Sequence, residues 1–453
     1  MAAFQLTYFP ELTARQRNII LSPKINGTAY VDSLPYLEEL GINLVDYRQP
    51  IQFLPNTNEA IHRWSPYVQG FSAKFVQRIL DMYKQDYKNS PVVLDPFAGS
   101  GTVLVQSKLN NIEVYGVELN PLLHFVTQTK INTWGVRPGT LISIAQGLSQ
   151  VKISHAPEFL KSSNQFNSQV LNNLEIIKSG VDNFIPVNEL DWQIKNLLLL
   201  AFSAILIDCS NLKRSPCLGY CRKKIVSEET PFKLFNLKIK EMVNDLEYIQ
   251  RNYPKPSKSD VFLENSMNFI HPRSYDLIIT SPPYMNGLDY VINYKIEMGW
   301  LGFADNHKQL KKVKDEMVVC DNVSKGLIRN FADQDRRYTN NWLENIKEHI
   351  YQNIERRGNY RRKDMPEIVH KYFDDMYKVM KLVGQALNPG GRFILVVGDS
   401  LIADVYLPTD LLLARIGKEL GLSIEKIEVA RNRRSGQVRS YKLRETIITL
   451  RKE

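Results

Sequence analysis

The sequence predicts an α/β protein: an open, largely parallel sheet flanked by helices, with two long insertions between its parts. Three stretches carry that expectation. Asp276-Leu-Ile-Ile-Thr280 is an apolar run of the kind that forms a strand buried on both faces, and Ser281-Pro282-Pro283-Tyr284 stops it. Pro91-Val-Val-Leu-Asp95 leads into Pro96-Phe97-Ala98-Gly99-Ser100-Gly101-Thr102, which reads as strand, Gly-rich turn and helix start. Val114-Tyr-Gly-Val117 is a second short strand that ends on the acidic Glu118.

The chain has 453 residues, enough for several domains or one large decorated domain, and 43% are hydrophobic. Lys and Arg number 58 against 48 acidic residues, a net charge of +10, which suits a polyanionic partner. Four cysteines in so long a chain point to a reducing compartment rather than a disulfide framework. Met1-Ala-Ala-Phe-Gln-Leu-Thr7 has no basic start followed by an apolar core, so no signal peptide is expected. The apolar run Leu197 to Ile207 is too short to span a bilayer. A cytoplasmic protein without a membrane partner is expected.

Residues 1–60 form a weakly patterned lead-in broken by Pro35, Pro50 and Pro55. His62-Arg-Trp-Ser-Pro-Tyr67-Val-Gln-Gly-Phe71-Ser72 then precedes a helix whose N-cap is Ser72. That aromatic loop can line a nucleoside pocket or merely staple the helix start. The Gly-rich turn follows. Its glycines let backbone approach a ligand, and the helix offers free N–H groups. No lysine follows Gly101, so it is not a phosphate loop, and Asp95 beside it favours a cationic ligand. Glu118 stands where an acidic residue binds the two hydroxyls of a ribose.

Residues 126–258 show helical spacing and read as a helical insertion. Cys209, Cys217 and Cys221 lie there without Cys-x-x-Cys pairing or a fourth ligand, so no metal is expected. The accompanying Lys213, Arg214, Arg222, Lys223, Lys224 and Tyr220 can contact phosphates or form a solvated loop. Two prolines cannot continue the strand that ends at Thr280, because neither has an N–H. The chain must leave the sheet at a strand's carboxyl end, where ligands bind in open α/β sheets. The Ser281 hydroxyl, the adjacent carbonyls and the Tyr284 ring suit a flat base with an exocyclic amine: acceptors for the N–H bonds and a face for stacking. A helix with Asn286 and Asp289 near its start follows. Residues 304–370 are charged, with Arg336-Arg337-Tyr338 and Arg356-Arg357-Gly358-Asn359-Tyr360-Arg361-Arg362-Lys363, suited to phosphate contact or to a wet surface. The chain then returns to the core: a helix from Tyr372, a turn at Asn388-Pro-Gly-Gly391, a buried strand from Arg392, a helix from Leu411, and a closing pair of strands at 424–430 and 445–450. Arg431, Arg433, Arg434 and Arg439 lie between that pair.

Together, Asp95–Thr102 and Ser281–Tyr284 resemble the S-adenosylmethionine-dependent amino-methyltransferases of DNA, which carry a Phe-x-Gly-x-Gly cofactor loop and an Asp/Asn/Ser-Pro-Pro-Tyr catalytic loop. The similarity covers roughly residues 61–125, 260–303 and 385–451. Here the cofactor loop comes first, whereas many serine-type members have the reverse order, which marks a permuted member. The resemblance implies a Rossmann-like class I methyltransferase sheet with helical insertions. It divides the chain into a lead-in (1–60), a cofactor-binding part (61–125), the helical insertion as candidate target-recognition region (126–258), a catalytic part (259–303), a basic insertion (304–370) and the C-terminal part of the core (371–453).

The resemblance also implies site residues. S-adenosyl-L-methionine would be held by Phe71, Ser72, Asp95, Pro96, Phe97, Gly99, Ser100, Gly101, Thr102, Glu118, Asn120 and Asn265, the last standing where Asp is common. Its methyl would sit between the two motifs. Ser281, Pro282, Pro283 and Tyr284 would be catalytic, and Arg356, Arg357, Arg361, Arg362, Arg433 and Arg434 would contact double-stranded DNA. The implied reaction is direct transfer to a flipped-out base in restriction-modification or a similar defence system, with a companion restriction endonuclease as candidate partner. Serine at the first motif position favours cytosine N4. Adenine N6 comes second and RNA guanine N2 third. An inactive DNA-binding scaffold is the non-enzyme reading, which intact Asp95, Gly99, Gly101, Glu118, Ser281 and Tyr284 disfavour.

Overall fold

The computed structural model describes residues 28–453 except 48, 50, 69, 88, 215–216, 254–256, 321, 336, 359 and 436–439. Arg336, Arg439, Pro216 and Pro50 therefore lie outside the described residues. Described strands are β1 (Leu44–Asp46), β2 (Val93–Asp95), β3 (Val114–Val117), β4 (Leu212–Arg214), β5 (Leu218–Tyr220), β6 (Ser259–Phe262), β7 (Tyr275–Thr280), β8 (Leu387–Gly398), β9 (Ser400–Ile402), β10 (Val405–Leu407), β11 (Leu422–Arg434) and β12 (Lys442–Lys452). The chain forms two compact units. One comprises the described residues up to 50 with 267–287 and 318–453, and the other 51–266 with 288–317. Among the described residues no helix is long and apolar enough to cross a membrane.

The predicted α/β class is the class observed. In the first unit β7 runs parallel to β8 and β1 parallel to β11, while β12 pairs antiparallel with both β8 and β11. The closing pair expected near the C-terminus is thus the antiparallel β11–β12 ladder. Leu277, Ile278 and Ile279 of β7 are fully buried, as an apolar run without alternation requires. The turn at Asn388–Gly391 appears as a break in register: Tyr275 pairs with Leu387 but Leu277 pairs with Arg392. Gly390 takes the left-handed conformation (φ 75°) that such a loop needs. The lead-in supplies more order than its pattern suggests. Leu34–Leu40 is a helix and β1 adds a strand that three residues could not announce.

The second unit places β2 parallel to β3 and β3 parallel to β6. One of its helices starts where the sequence says, at Ser72, and another starts at Asn120, which the sequence reading gives only as a cofactor residue. Ser72 caps Ala73–Tyr83 by accepting from Phe75 N, and Asn120 caps Pro121–Asn132, with Pro121 in the first turn. Residues between β3 and β6 carry the expected helices, including Ser168–Asn183, Glu189–Ile205 and Thr230–Asn252. They also carry the β4–β5 hairpin, which the sequence leaves as a basic loop.

One buried ionic cluster ties the N-terminal helical turn of the first unit to its strands. Arg444, 2% exposed, donates to Asp410 Oδ2 (2.8 Å) and Oδ1 (3.1 Å), to the Ala29 carbonyl (2.8 Å) and to Ser33 Oγ (2.7 Å). Replacing Arg444 by Met leaves the Asp410 charge buried and uncompensated. Removing one partner of such a buried pair costs about 3–5 kcal/mol. Arg444→Met is expected to lose stability on that scale in denaturant unfolding; an unchanged midpoint would remove the cluster from the stabilising contacts.

Candidate active site

The Gly-rich turn leaves β2 at Asp95, whose side chain is 2% exposed and accepts from Phe97 N at 3.0 Å. Backbone and side chains then fix the loop. Ala98 N donates to the Val117 carbonyl (3.0 Å) and Gly99 N to Glu118 Oε2 (2.8 Å). From the helix Pro121–Asn132, Thr127 Oγ1 donates to the Gly99 carbonyl (2.9 Å) and Lys130 Nζ to the Ser100 carbonyl (3.0 Å). Glu118 also accepts from Asn120 N at 2.8 Å, so one carboxylate holds two segments of backbone. Burial pushes Glu118 up to about 7 and Lys130 down to about 7, the latter with help from Lys238.

Both motif glycines are required by conformation and by space. Gly99 has φ 54°, and a Cβ there would lie 2.7 Å from the Tyr67 hydroxyl. Gly101 has φ 80°, and its Cβ would lie 2.9 Å from Thr127 Cγ2. Tyr67 reaches over the loop with its ring stacked near-parallel to Tyr290 and Tyr294, centroids 6.0 and 6.1 Å away. The aromatic loop before the helix therefore does meet the Gly-rich turn, through Tyr67.

The other expected cofactor residues divide. Ser100 Oγ and Asn120 Nδ2 are buried without a hydrogen-bond partner, although Asn120 Oδ1 caps its helix. Thr102 is buried at the helix start and Pro96 accepts from Ser266 Oγ. Phe71 and Ser72 are packed and capped: the Phe71 ring lies 5.4 Å from Phe75 and the Ser72 hydroxyl accepts from Phe75 N. Asn265 donates to the Glu316 carbonyl (2.8 Å), while its neighbour Ser266 is the one that touches the turn. A glycine cradle with unpartnered buried polar atoms and a buried carboxylate fits a polar, cationic ligand such as the expected cofactor.

In the first unit the chain leaves β7 at Ser281, and the turn is clamped from several strands. Tyr372 Oη donates to the Pro283 carbonyl at 3.0 Å. Tyr284 Oη donates to Glu445 Oε1 at 2.7 Å. The Ser281 hydroxyl in turn hydrogen-bonds the Tyr284 phenol oxygen. The Arg433 guanidinium stands over the Tyr284 ring, 5.8 Å from its centroid, and donates to the Asp399 carbonyl. A Cβ on Gly398 would lie 2.9 Å from both Tyr284 Cε2 and Arg433 Nη2, so this glycine makes room for the pair. Burial, then the Glu445 charge, hold the Tyr284 phenol well above its ordinary value, so it stays protonated.

The six expected DNA-contacting arginines also divide. Arg356, Arg361 and Arg434 are exposed. Arg357 pairs with Asp404, and Arg362 with Asp364 and the Val323 carbonyl. Arg433 belongs to the Tyr284 cluster. Thr127, Lys130 and Glu445 are the site neighbours that no motif announces. Thr127 and Lys130 have only an i, i+3 spacing as signal.

A family model described as N6_N4_Mtase, DNA methylase, matches residues 49–128, which include the Gly-rich turn. Type II methyltransferase M.BsoBI of Geobacillus stearothermophilus is 22% identical over 434 residues, covering 85% of this chain and 83% of its own. Type II methyltransferase M.AvaI of Nostoc sp. is 24% identical over 415 residues, covering 84% and 83%. Among solved structures, the rRNA methyltransferase aviRa from Streptomyces viridochromogenes aligns over 90% of this chain and 96% of its own at a TM-score of 0.33 and 7% identity, too weak a likeness to argue from. With the Gly-rich turn inside the matched segment and relatives aligned along most of both chains, the comparisons support the N6/N4 DNA methylase family for this chain.

Proposed function

We propose that this protein methylates the exocyclic N4 amine of cytosine in duplex DNA, in a restriction-modification setting; the relatives named Type II methyltransferases support this reading. The observation that carries the reading is Ser281-Pro282-Pro283-Tyr284 at the carboxyl end of β7, with the Tyr284 hydroxyl tied back to Glu445. S-adenosylmethionine, when bound, supplies a methyl on sulfonium. Asp95, Gly99, Ser100, Gly101, Thr102, Glu118 and Asn120 would hold it, with Tyr67 as an added wall.

The Ser281 hydroxyl accepts from the target amine, and Tyr284 offers its ring for stacking. An amine inside the duplex stack cannot be reached, so the base is extruded, which costs a few kcal/mol. The nitrogen attacks directly and no covalent enzyme–base adduct forms, so positioning and water exclusion supply most of the rate gain. Arg356, Arg361 and Arg434 are the exposed cations offered to the phosphates, and a companion endonuclease is the partner that follows from the setting.

The test is mass spectrometry of nucleosides from duplex DNA incubated with the protein and S-adenosylmethionine. N4-methylcytosine is expected. N6-methyladenine would keep the fold and the chemistry and overturn the base. No modified DNA nucleoside would overturn the DNA reading.

A further inference from the structure

The hydrogen bonds of the catalytic turn do not end at its tyrosine. Ser281 donates to Tyr284, Tyr284 donates to Glu445 at 2.7 Å, and Arg431 Nε is ion-paired with Glu445. Sheet register assembles this row. Glu445 on β12 lies opposite Gly398 on β8 and opposite Arg431 on β11. The Glu445 side chain is 8% exposed and that of Arg431 is 42% exposed, so the row runs from the turn to solvent.

A hydroxyl has one proton. With that proton given to Tyr284, Ser281 presents only lone pairs and meets an amine as an acceptor. The same logic holds one step further for Tyr284, whose proton goes to a carboxylate. A serine is no base, and a buried phenol held protonated is none either. Glu445 is the first group in the row that can keep a proton.

Resting on the amino-methyltransferase reading, we propose that Ser281, Tyr284 and Glu445 are the route by which the amine proton leaves the reacting base. The nitrogen lone pair forms the N–C bond as the sulfonium S–C bond breaks and its electron pair stays on sulfur. The nitrogen then carries one proton too many, and a methylated exocyclic ammonium on a heteroaromatic ring is a strong acid. Its proton passes to Ser281 Oγ, the serine proton to Tyr284 Oη and the tyrosine proton to Glu445 Oε1. Both hydroxyls end as they began, and Glu445 ends neutral, to be deprotonated by water on the Arg431 side. Glu445 is met by Tyr284 from the turn and Arg431 from β11, while Arg433 of β11 stands over the Tyr284 ring. The Asp399 side chain, just past the end of β8, accepts from the Tyr406 hydroxyl at 2.6 Å.

The test is single-turnover methyl transfer to duplex DNA with labelled S-adenosylmethionine, across pH, for the wild type, Glu445→Gln, Tyr284→Phe and the double variant. Glutamine still accepts from the tyrosine hydroxyl but cannot take a proton. Both single variants should be slower by at least about a hundredfold, the low end of what general-base participation contributes. Their affinities for DNA and cofactor should be unchanged. In the wild type the rate should fall in acid, because a carboxyl that already holds a proton cannot take another. That acid limb should vanish in both variants, and the double variant should be no slower than the slower single one.

Wild-type rate and acid limb in Glu445→Gln, or losses that multiply, overturn the relay. Should Glu445→Gln not fold for want of its ion pair with Arg431, Tyr284→Phe decides alone: loss of the limb supports the relay and retention overturns it. A wild-type protein that transfers no methyl to DNA overturns the methyltransferase reading and the relay with it. An active wild type with an unchanged Glu445→Gln overturns the relay only.

Discussion

Tyr284→Ala is expected to cut methyl transfer by about a hundredfold or more while cofactor affinity stays at the wild-type value. Base–aromatic stacking is worth about 1–3 kcal/mol per base, and each 1.4 kcal/mol off a barrier is about tenfold in rate. Truncation removes that stack and the hydroxyl that receives from Ser281 and donates to Glu445. The Gly-rich turn is held by Glu118, Thr127 and Lys130, which this substitution leaves in place. The readouts are labelled methyl incorporation and titration calorimetry with S-adenosylmethionine. Wild-type turnover in this variant would remove Tyr284 from the site.

Gly101→Val attacks the other motif. A β-branched residue at φ 80° is a genuine backbone outlier, and such strain costs about 1–3 kcal/mol. Its Cβ would also press on Thr127 at 2.9 Å and disturb the bond from Thr127 to the Gly99 carbonyl. Either the loop or Thr127 must move. The expected result is loss of measurable S-adenosylmethionine binding by calorimetry, and with it of methylation, in a protein that still unfolds cooperatively. An unchanged affinity would take Asp95–Thr102 out of the cofactor site.

The legible parts of this chain are those where local physics leaves one solution. A run such as Leu277 to Ile279 must be buried, and Pro282-Pro283 must end its strand. Ser72 announces its helix through cap chemistry, and it does cap. Gly99 and Gly101 announce a turn that bulkier residues cannot make. The lead-in was less legible, because β1 is a strand only through its pairing with β11. The β4–β5 hairpin was read as a loop for a similar reason. Its strands have three residues each, and Arg214 is fixed by Glu297, far along the chain.

The arginines show the same limit. Arg357, Arg362 and Arg433 look like free cations in the sequence, and each is bonded to an acceptor in the folded chain. Phe71 and Ser72 sit beside the motif in sequence but spend their groups on packing and capping.

By itself the sequence determined the α/β class, the two turns that leave β2 and β7 and the residue types available in them, since backbone stereochemistry and hydrophobic burial act over a few neighbouring residues. The tertiary structure alone decided what braces those turns. Tyr67 over Gly99, Thr127 and Lys130 beneath the glycine loop, and Glu445 with Arg431 behind Tyr284 are set by strand register and helix packing. Those depend on partners tens to hundreds of residues away, and no local pattern encodes them.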